Sequence, residues 1–391
     1  MKKPSALTLS AAMLVAACSA GTTSNAAPAD SKALDASGEH PAAPLASAPF
    51  TVQEVAGFDE PWAMTFLPGT RLALVTEKAG KLKLWQEGGT TLDVAGVPSV
   101  AYGGQGGFGD VILAPDFATS GIIYLSWVEP GPDGTYGAIV GRGKLVLGEA
   151  PRVEGLTTIW TQSPKVTGRG HYSHRLAFSP DGRYLFIGSG ERQKFDPAQD
   201  MNANLGKIVR LNPDGSIPAD NPFAGKGGVT AQIWSLGHRN ILGLTFDKEG
   251  RLWNQEMGPK GGDEINLVER GANYGYPIVS NGDHYDGRDI PDHPTRPEFA
   301  APKLWWNPAV SPGGLAYYGG DLYPGWKNSL LMGALGGEGL VRARIDGDRL
   351  HKADRWDFST RVREVEVRED GSVWLLTDGK EGKLVKLVPK R

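Results

Sequence analysis

Short apolar segments of alternating polarity recur along the chain and predict strands joined by tight turns. Six of these segments share one pattern: a strand of period-two alternation leads through a tight turn to a second apolar strand. The equivalent positions in the six segments are Phe66, Leu113, Phe178, Phe246, Tyr317 and Val367. Six similar hairpins indicate six blades, so we predict an all-β fold, a six-bladed β-propeller.

The spacing of the six segments points to a binding face. Successive equivalent positions are 47, 65, 68, 71 and 50 residues apart. Compact propeller repeats are about 40 to 45 residues long, so the middle blades must carry insertions. Insertions on one face of a repeat array commonly form the binding site. The alternative fold is a pair of β-sandwiches, which the sixfold repeat disfavours.

The N-terminus reads as an export signal. Lys2 and Lys3 precede an apolar run at 6–17, which is too short for a membrane span, and the only cysteine, Cys18, follows. Small residues before Cys18 are typical of a bacterial lipoprotein, so we interpret residues 1–18 as a lipoprotein-type signal peptide. Ordinary cleavage nearer Ala26 is the alternative. In both cases we expect an exported protein, periplasmic or lipid-anchored to the outer membrane of a Gram-negative bacterium.

Composition divides the remaining chain in two. Residues 19–49 are rich in Ala, Ser, Thr, Gly and Pro and lack aromatic side chains, which predicts a disordered, flexible tether. Residues 50–391 form the predicted propeller domain. This domain has no cysteine and hence no disulfide, so its stability must come from a sizeable core. A net charge of -3 without a basic stripe argues against nucleic acid as a partner.

Two histidines precede the third repeated segment. His171 and His174 lie between arginines, and a near-neutral base beside fixed cations suits proton abstraction from an alcohol. Their spacing could also suggest zinc, but no cysteine or third clustered histidine supports that. Glu191 follows the next strand, which ends at Gly190, and could orient either histidine through a carboxylate–imidazole hydrogen bond. The alternative role for Glu191 is to cap a turn.

Other polar groups suit an anionic, metal-bound cofactor. Residues 237–240 (Gly-His-Arg-Asn) supply a cation and an amide, and Gly258 and Pro259 supply main-chain carbonyls freed from strand pairing. Arg361 and Arg363 lie on one face of a strand because side chains alternate, and such a pair can clamp a carboxylate or phosphate. A solvated strand edge is the alternative. Gln105 offers an amide within a Gly-rich loop.

These segments together resemble the soluble aldose (glucose) dehydrogenases that use pyrroloquinoline quinone (PQQ). The resemblance runs in order over roughly residues 50 to 388, and the most specific segments are 237–240 and 258–266. It implies a six-bladed propeller. It also implies that His171, oriented by Glu191, is the general base that takes the sugar hydroxyl proton while hydride passes from C1 to C5 of the quinone.

The resemblance further implies the ligand sets. Residues that would hold the quinone are Gln105, His171, Arg239, Asn240, Tyr285, Arg361 and Arg363. The main-chain carbonyls of Gly258 and Pro259 would bind a calcium ion that polarises the quinone oxygen, and Glu264 and Tyr274 would bind a second, structural calcium. The implied partners are a small-molecule sugar and a periplasmic electron acceptor, with membrane contact only through the N-terminal lipid.

The chain departs from the family pattern at three positions. Gly336 stands where glucose oxidisers of the family carry a lysine, so one cationic contact to the quinone is absent. Gly170 replaces the aspartate before the catalytic histidine, and Glu191 replaces the aspartate that orients it. The alternative functions are a non-catalytic carbohydrate- or protein-binding propeller and a calcium-dependent lactonase-type hydrolase. The hydrolase would need carboxylates and amides converging on a central channel, and the sequence shows no such cluster.

Overall fold

Six antiparallel sheets of four strands each make up the computed structural model, which describes residues 45–390. The first strands of successive sheets contact one another in order, and the sixth contacts the first, so the sheets close into a ring. The prediction of a six-bladed β-propeller is therefore confirmed. The interpreted signal peptide at 1–18 and most of the interpreted tether lie outside the described residues.

The blades are numbered in chain order. Blade 1 contains β2 (Pro61–Phe66), β3 (Leu72–Glu77), β4 (Lys81–Gln86) and β5 (Thr91–Val94); blade 2 contains β6 (Phe108–Leu113), β7 (Ile122–Pro130), β8 (Tyr136–Val146) and β9 (Arg152–Thr161); blade 3 contains β10 (Ser173–Phe178), β11 (Leu185–Ser189), β12 (Lys207–Leu211) and β13 (Ile233–Leu236). Blade 4 contains β14 (Asn240–Phe246), β15 (Leu252–Met257), β16 (Asp263–Leu267) and β17 (Leu304–Trp306); blade 5 contains β18 (Pro312–Tyr318), β19 (Ser329–Ala334), β20 (Gly339–Asp346) and β21 (Arg349–Asp357); blade 6 contains β22 (Val362–Val367), β23 (Val373–Thr377), β24 (Gly382–Pro389) and the N-terminal β1 (Phe50–Phe58). The helical segments are one α-helix, Phe117–Ser120, and the 3₁₀ turns Leu45–Ser47, Pro132–Gly134, Asp196–Ala198, Ala224–Lys226, Thr230–Gln232 and His293–Thr295.

Burial within a blade follows from its position between two neighbours. The second strands β11, β19 and β23 are buried at every residue because adjacent blades cover both faces. The outer strands β5 and β9 are largely exposed. The six positions aligned in the sequence all lie at or next to the last residue of the first strand of a blade. The repeated pattern thus marks the strands that line the ring.

The N-terminal strand closes the ring by pairing with the C-terminal strand. In the β1–β24 ladder Phe50 pairs with Pro389 and Phe58 with Gly382. Phe50 is buried and its ring packs edge-on against Trp356 at 5.3 Å between centroids. Within the stretch interpreted as tether, Leu45–Ser47 form a 3₁₀ turn and Ala48 is buried.

Each blade has a register shift near the start of its first strand. All six first strands have this irregularity in their pairing with the second strand. Such bulges re-aim side chains and are common next to active sites. Within residues 45–390, no helix has the length and apolar character needed to cross a membrane.

Candidate active site

Two cavities lie where the first strands begin and the second strands end. One, of about 250 Å³, has walls that include Gln105, Asn240, Arg361 and Arg363, and we call it the arginine cavity. The other, also about 250 Å³, has walls that include His171, Arg239, Pro259 and Tyr285, and we call it the histidine cavity. The structure therefore brings most of the sequence-predicted site residues to one end of the ring.

His171 is oriented by Glu191 on the wall of the histidine cavity. The Nδ1 atom of His171 is hydrogen-bonded to Oε1 of Glu191, and both side chains are buried. The second carboxylate oxygen accepts the main-chain N–H groups of Lys194 at 2.6 Å and Phe195 at 2.8 Å. Glu191 thus makes both interactions that the sequence suggested, since it orients His171 and caps a turn.

The electrostatics of this pair favour a neutral imidazole and an ionised carboxylate. Burial is the main cause that lowers the pKa of His171 below its usual 6.5, and it outweighs the raising effect of Glu191. Burial alone would raise the pKa of Glu191, but its bond to His171 and its contact with the Phe195 N–H bring that pKa below its usual value. With Nδ1–H donated to Glu191, Nε2 of His171 is left as the proton acceptor.

His174 occupies a different environment from His171. Its ring is stacked on Trp62 at 5.1 Å, and its Nδ1 lies 2.8 Å from the hydroxyl of Ser126. Burial, followed by the charges of Arg175 and Arg192, lowers the pKa of His174 to about 3. His174 is therefore a neutral residue on the wall of the arginine cavity, and Glu191 orients His171 and not His174.

The two C-terminal arginines share one carboxylate that sequence reasoning missed. Arg361 donates from Nε to Oδ2 of Asp378 at 2.8 Å, and Arg363 donates from Nε to Oδ1 at 2.9 Å. The cause lies in strand pairing, because Val362 pairs with Thr377 and so places Asp378 beside both arginines. Alternation along β22 predicted the arginine pair, but only the β22–β23 register reveals Asp378.

Arg239, on the wall of the histidine cavity, contacts one of the two predicted calcium-binding carbonyls. Its Nη1 donates to the carbonyls of Met257 at 3.0 Å and Gly258 at 2.6 Å, while its buried Nε has no partner. The Gly258 carbonyl follows Met257, the last paired residue of β15, and the Arg239 guanidinium occupies one side of it. Tyr285 is 74% exposed, and its ring lies 6.0 Å from the Arg239 guanidinium carbon.

Glu264 and Tyr274 belong to a buried network around His238. Glu264 pairs with Glu256 across β15 and β16, and burial, then the charge of Glu256, raises the pKa of Glu264 well above its usual value. The Tyr274 ring stacks on His238 at 4.7 Å, and its hydroxyl donates to the carbonyl of Leu267. Oδ1 of Asn266 is buried without a partner. In residues 45–390 no group of three or more His, Cys, Asp and Glu is arranged to hold a metal.

Carboxylates also border a third cavity, although the described part of the chain has no group of three or more His, Cys, Asp and Glu arranged to hold the metal of a hydrolase. Asp110, Glu364 and Glu366 border a separate cavity of about 240 Å³. Arg175 forms ion pairs with Asp110 and Glu364 and lies over Trp62 at 4.1 Å. Burial is the main cause that raises the pKa of Glu364 to about 7. Asp110, Arg175 and Glu364 come from three different blades, so no local motif in the sequence indicates that they meet.

Comparison with known proteins identifies the family of this chain. The family model described as "Glucose / Sorbosone dehydrogenase" matches residues 58–386. The chain belongs to this family. It is 40% identical over 340 residues to the aldose sugar dehydrogenase YliI of Escherichia coli, covering 85% of this chain and 91% of that protein.

Solved structures of this glucose/sorbosone dehydrogenase family share the fold. The apo form of the soluble aldose sugar dehydrogenase of E. coli superposes with a TM-score of 0.82 at 38% identity and covers 87% of this chain and 100% of that one. The PQQ-bound form of the aldose sugar dehydrogenase of Streptomyces coelicolor has a TM-score of 0.69 at 25% identity and covers 87% of this chain and 98% of that one.

Neighbouring side chains lie close to two of the positions at which this family member departs from the pattern. A Cβ added at Gly170 would lie 2.4 Å from Oε1 of Gln193, so the Gln193 amide fills the space that a side chain at 170 would enter. A Cβ at Gly336 would lie 2.8 Å from Oγ of Ser311. Position 336 follows Leu335, which lines the arginine cavity.

Proposed function

We propose that this protein oxidises aldose sugars at C1 to lactones with PQQ as its cofactor. The observation that carries the proposal is the buried His171, which is held by Glu191 and whose main-chain N–H is accepted by Gln105 on the wall of the arginine cavity. Family membership and the PQQ-bound relative support it. When bound, the quinone supplies the acceptor for the hydride that leaves C1.

The donor set of the arginine cavity fits such an anionic cofactor. PQQ carries three carboxylates, which match the planar donors of Arg361 and Arg363 and the amides of Gln105 and Asn240. The unpartnered Nε of Arg239 is a further donor. These residues bind and orient the quinone, and Nε2 of His171 takes the hydroxyl proton from the sugar. Glu191 stabilises the imidazolium that results.

Calcium is part of the proposal at two places. A calcium ion near Gly258 and Pro259 would share the Gly258 carbonyl with Arg239, because a carbonyl oxygen has two lone pairs. A second calcium fits Glu264, where two facing carboxylates and the unpartnered Asn266 oxygen are the hard donors that this ion prefers. We also propose that the protein is exported, on the basis of residues 1–18.

Reconstitution tests this function. Purified metal-free protein is titrated with PQQ and Ca²⁺, and the absorbance of bound quinone is followed after a panel of aldoses is added. Reduction by at least one aldose is expected. Quinone binding without reduction by any aldose, together with tryptophan quenching by sugar, would instead support a non-catalytic binding propeller. Lactone hydrolysis without quinone would support the hydrolase.

A further inference from the structure

Lys78 is a cation on the wall of the arginine cavity that no motif singled out. It follows β3 directly, in the turn that leads to β4. Its Nζ donates to the carbonyl of Gly104 at 2.8 Å and lies 5.7 Å from the centre of the Tyr102 ring. An ammonium group has three donors, so two remain for a ligand.

The charges around the cavity distinguish Lys78 from the two arginines. Both arginines are engaged by the single carboxylate of Asp378. Within the described part of the chain, Lys78 forms no ion pair. The other carboxylate of the wall, Glu60, accepts the hydroxyl of Tyr102 at 2.5 Å. The wall carries three cations and two carboxylates, so its net charge is positive. Without Lys78, the two arginines and the two carboxylates would balance.

We propose that Lys78 binds a carboxylate of the quinone and supplies from blade 1 the cationic contact that Gly336 cannot supply from blade 5. The inference rests on the proposed function, because the anion is the cofactor of that reaction. Two features of the structure favour this role. The flexible stem lets Nζ turn from the Gly104 carbonyl toward a ligand, and Gln105, a predicted quinone contact, follows Gly104 directly.

Binding to the cofactor-free protein tests the inference without reference to turnover. PQQ is titrated in the presence of Ca²⁺, and binding is measured by equilibrium dialysis for the unaltered protein, Lys78→Gln and Lys81→Gln. Lys81 is the matched control, because it is exposed at the start of β4 and outside the cavity wall. Lys78→Gln is expected to raise Kd by about 10- to 100-fold, and Lys81→Gln to leave it unchanged.

Salt dependence separates a charge contact from a loosened Gly104 loop. Added salt is expected to weaken PQQ binding less in Lys78→Gln than in the unaltered protein, whereas a purely structural loss would leave the slope the same. Equal Kd values for the two variants, or an unchanged slope, would overturn the role of Lys78 and leave the proposed function intact. Failure of the unaltered protein to bind PQQ would overturn both.

Discussion

The side chain of Gln105 accepts the main-chain N–H of His171 at 2.6 Å, although the two residues are 66 positions apart. This bond connects the Gly-rich loop before blade 2 to the loop that carries His171, the proposed base. His171, Ser173 and His174 all have positive φ, an unfavourable conformation for these residue types that surrounding contacts must maintain. Gln105 therefore stabilises the loop that carries His171, in addition to its predicted contact with the quinone.

Gln105→Leu should destabilise the cofactor-free protein. The change leaves the His171 N–H without its acceptor in a buried loop, which costs about 1–3 kcal/mol. Thermal or urea unfolding measures the loss. Gln53→Leu is the control, since Gln53 is exposed on β1, and it should have little effect. Equal stabilities of the two variants would show that the Gln105 bond does not support the loop.

Glu191→Gln should lower turnover and move its pH dependence. Because the pKa of His171 lies below 6.5, activity should be constant near neutrality and fall as the pH drops through that lower pKa. Glu191 raises the His171 pKa, so its neutralisation should shift this acid limb to lower pH. We expect turnover to drop about 10- to 100-fold.

The control for Glu191 is Glu381→Gln, an exposed carboxylate in the turn before β24. It should retain both the rate and the pH profile of the unaltered protein. A Glu191→Gln enzyme with reduced rate but an unshifted acid limb would contradict the proposed electrostatic role and leave only the turn-capping one.

Because His174 is buried in its neutral form, the protein should be less stable at acidic pH than at neutral pH. Its pKa is about 3 in the folded protein and near 6.5 when unfolded, so below pH 6.5 the unfolded chain binds a proton that the folded one does not. The stability that depends on neutral His174 is fully present above pH 6.5. As the pH falls from 6.5 toward 3, the free energy of unfolding decreases by about 1.4 kcal/mol per pH unit. Urea unfolding at pH 7 and pH 5 measures this. His174→Gln should reduce the difference, and an unreduced difference would assign it to other groups.

Part of this molecule could be read from the sequence. The six repeated hairpins gave the fold because each blade repeats one local pattern, and His171 with Glu191 could be identified because the end of β11 returns beside the start of β10. The arginine pair followed from alternation along one strand. All these features depend on short-range spacing.

Other features depend on pairing between distant segments. The β1–β24 ladder closes the ring between the two ends of the described chain. No residue pattern in Phe50–Phe58 indicates which strand it pairs with. Asp110, Arg175 and Glu364 meet only because three blades converge. The guanidinium on the Gly258 carbonyl and the position of Lys78 likewise follow from the assembled ring.

Asp378→Asn should weaken the end of blade 6. The change keeps the shape but removes the charge that both arginines contact, and the partly buried Arg363 then lacks its counter-ion. A loss of about 1–3 kcal/mol in unfolding free energy is expected. Asp370→Asn, on the turn between β22 and β23, is a comparison that leaves the arginines paired. Equal stability of Asp378→Asn and the unaltered protein would mean that the arginines find other partners.

The central claim is that His171 is the base, and single-turnover reduction of bound quinone by an aldose that the protein oxidises in the earlier titration tests it most directly. Unaltered protein, His171→Ala and His174→Ala are loaded with PQQ and Ca²⁺, and the absorbance change is followed after sugar is mixed in. His171→Ala should bind the quinone and react about 10²- to 10⁴-fold more slowly, while His174→Ala should retain most of the rate. A fully active His171→Ala together with an inactive His174→Ala would contradict the account.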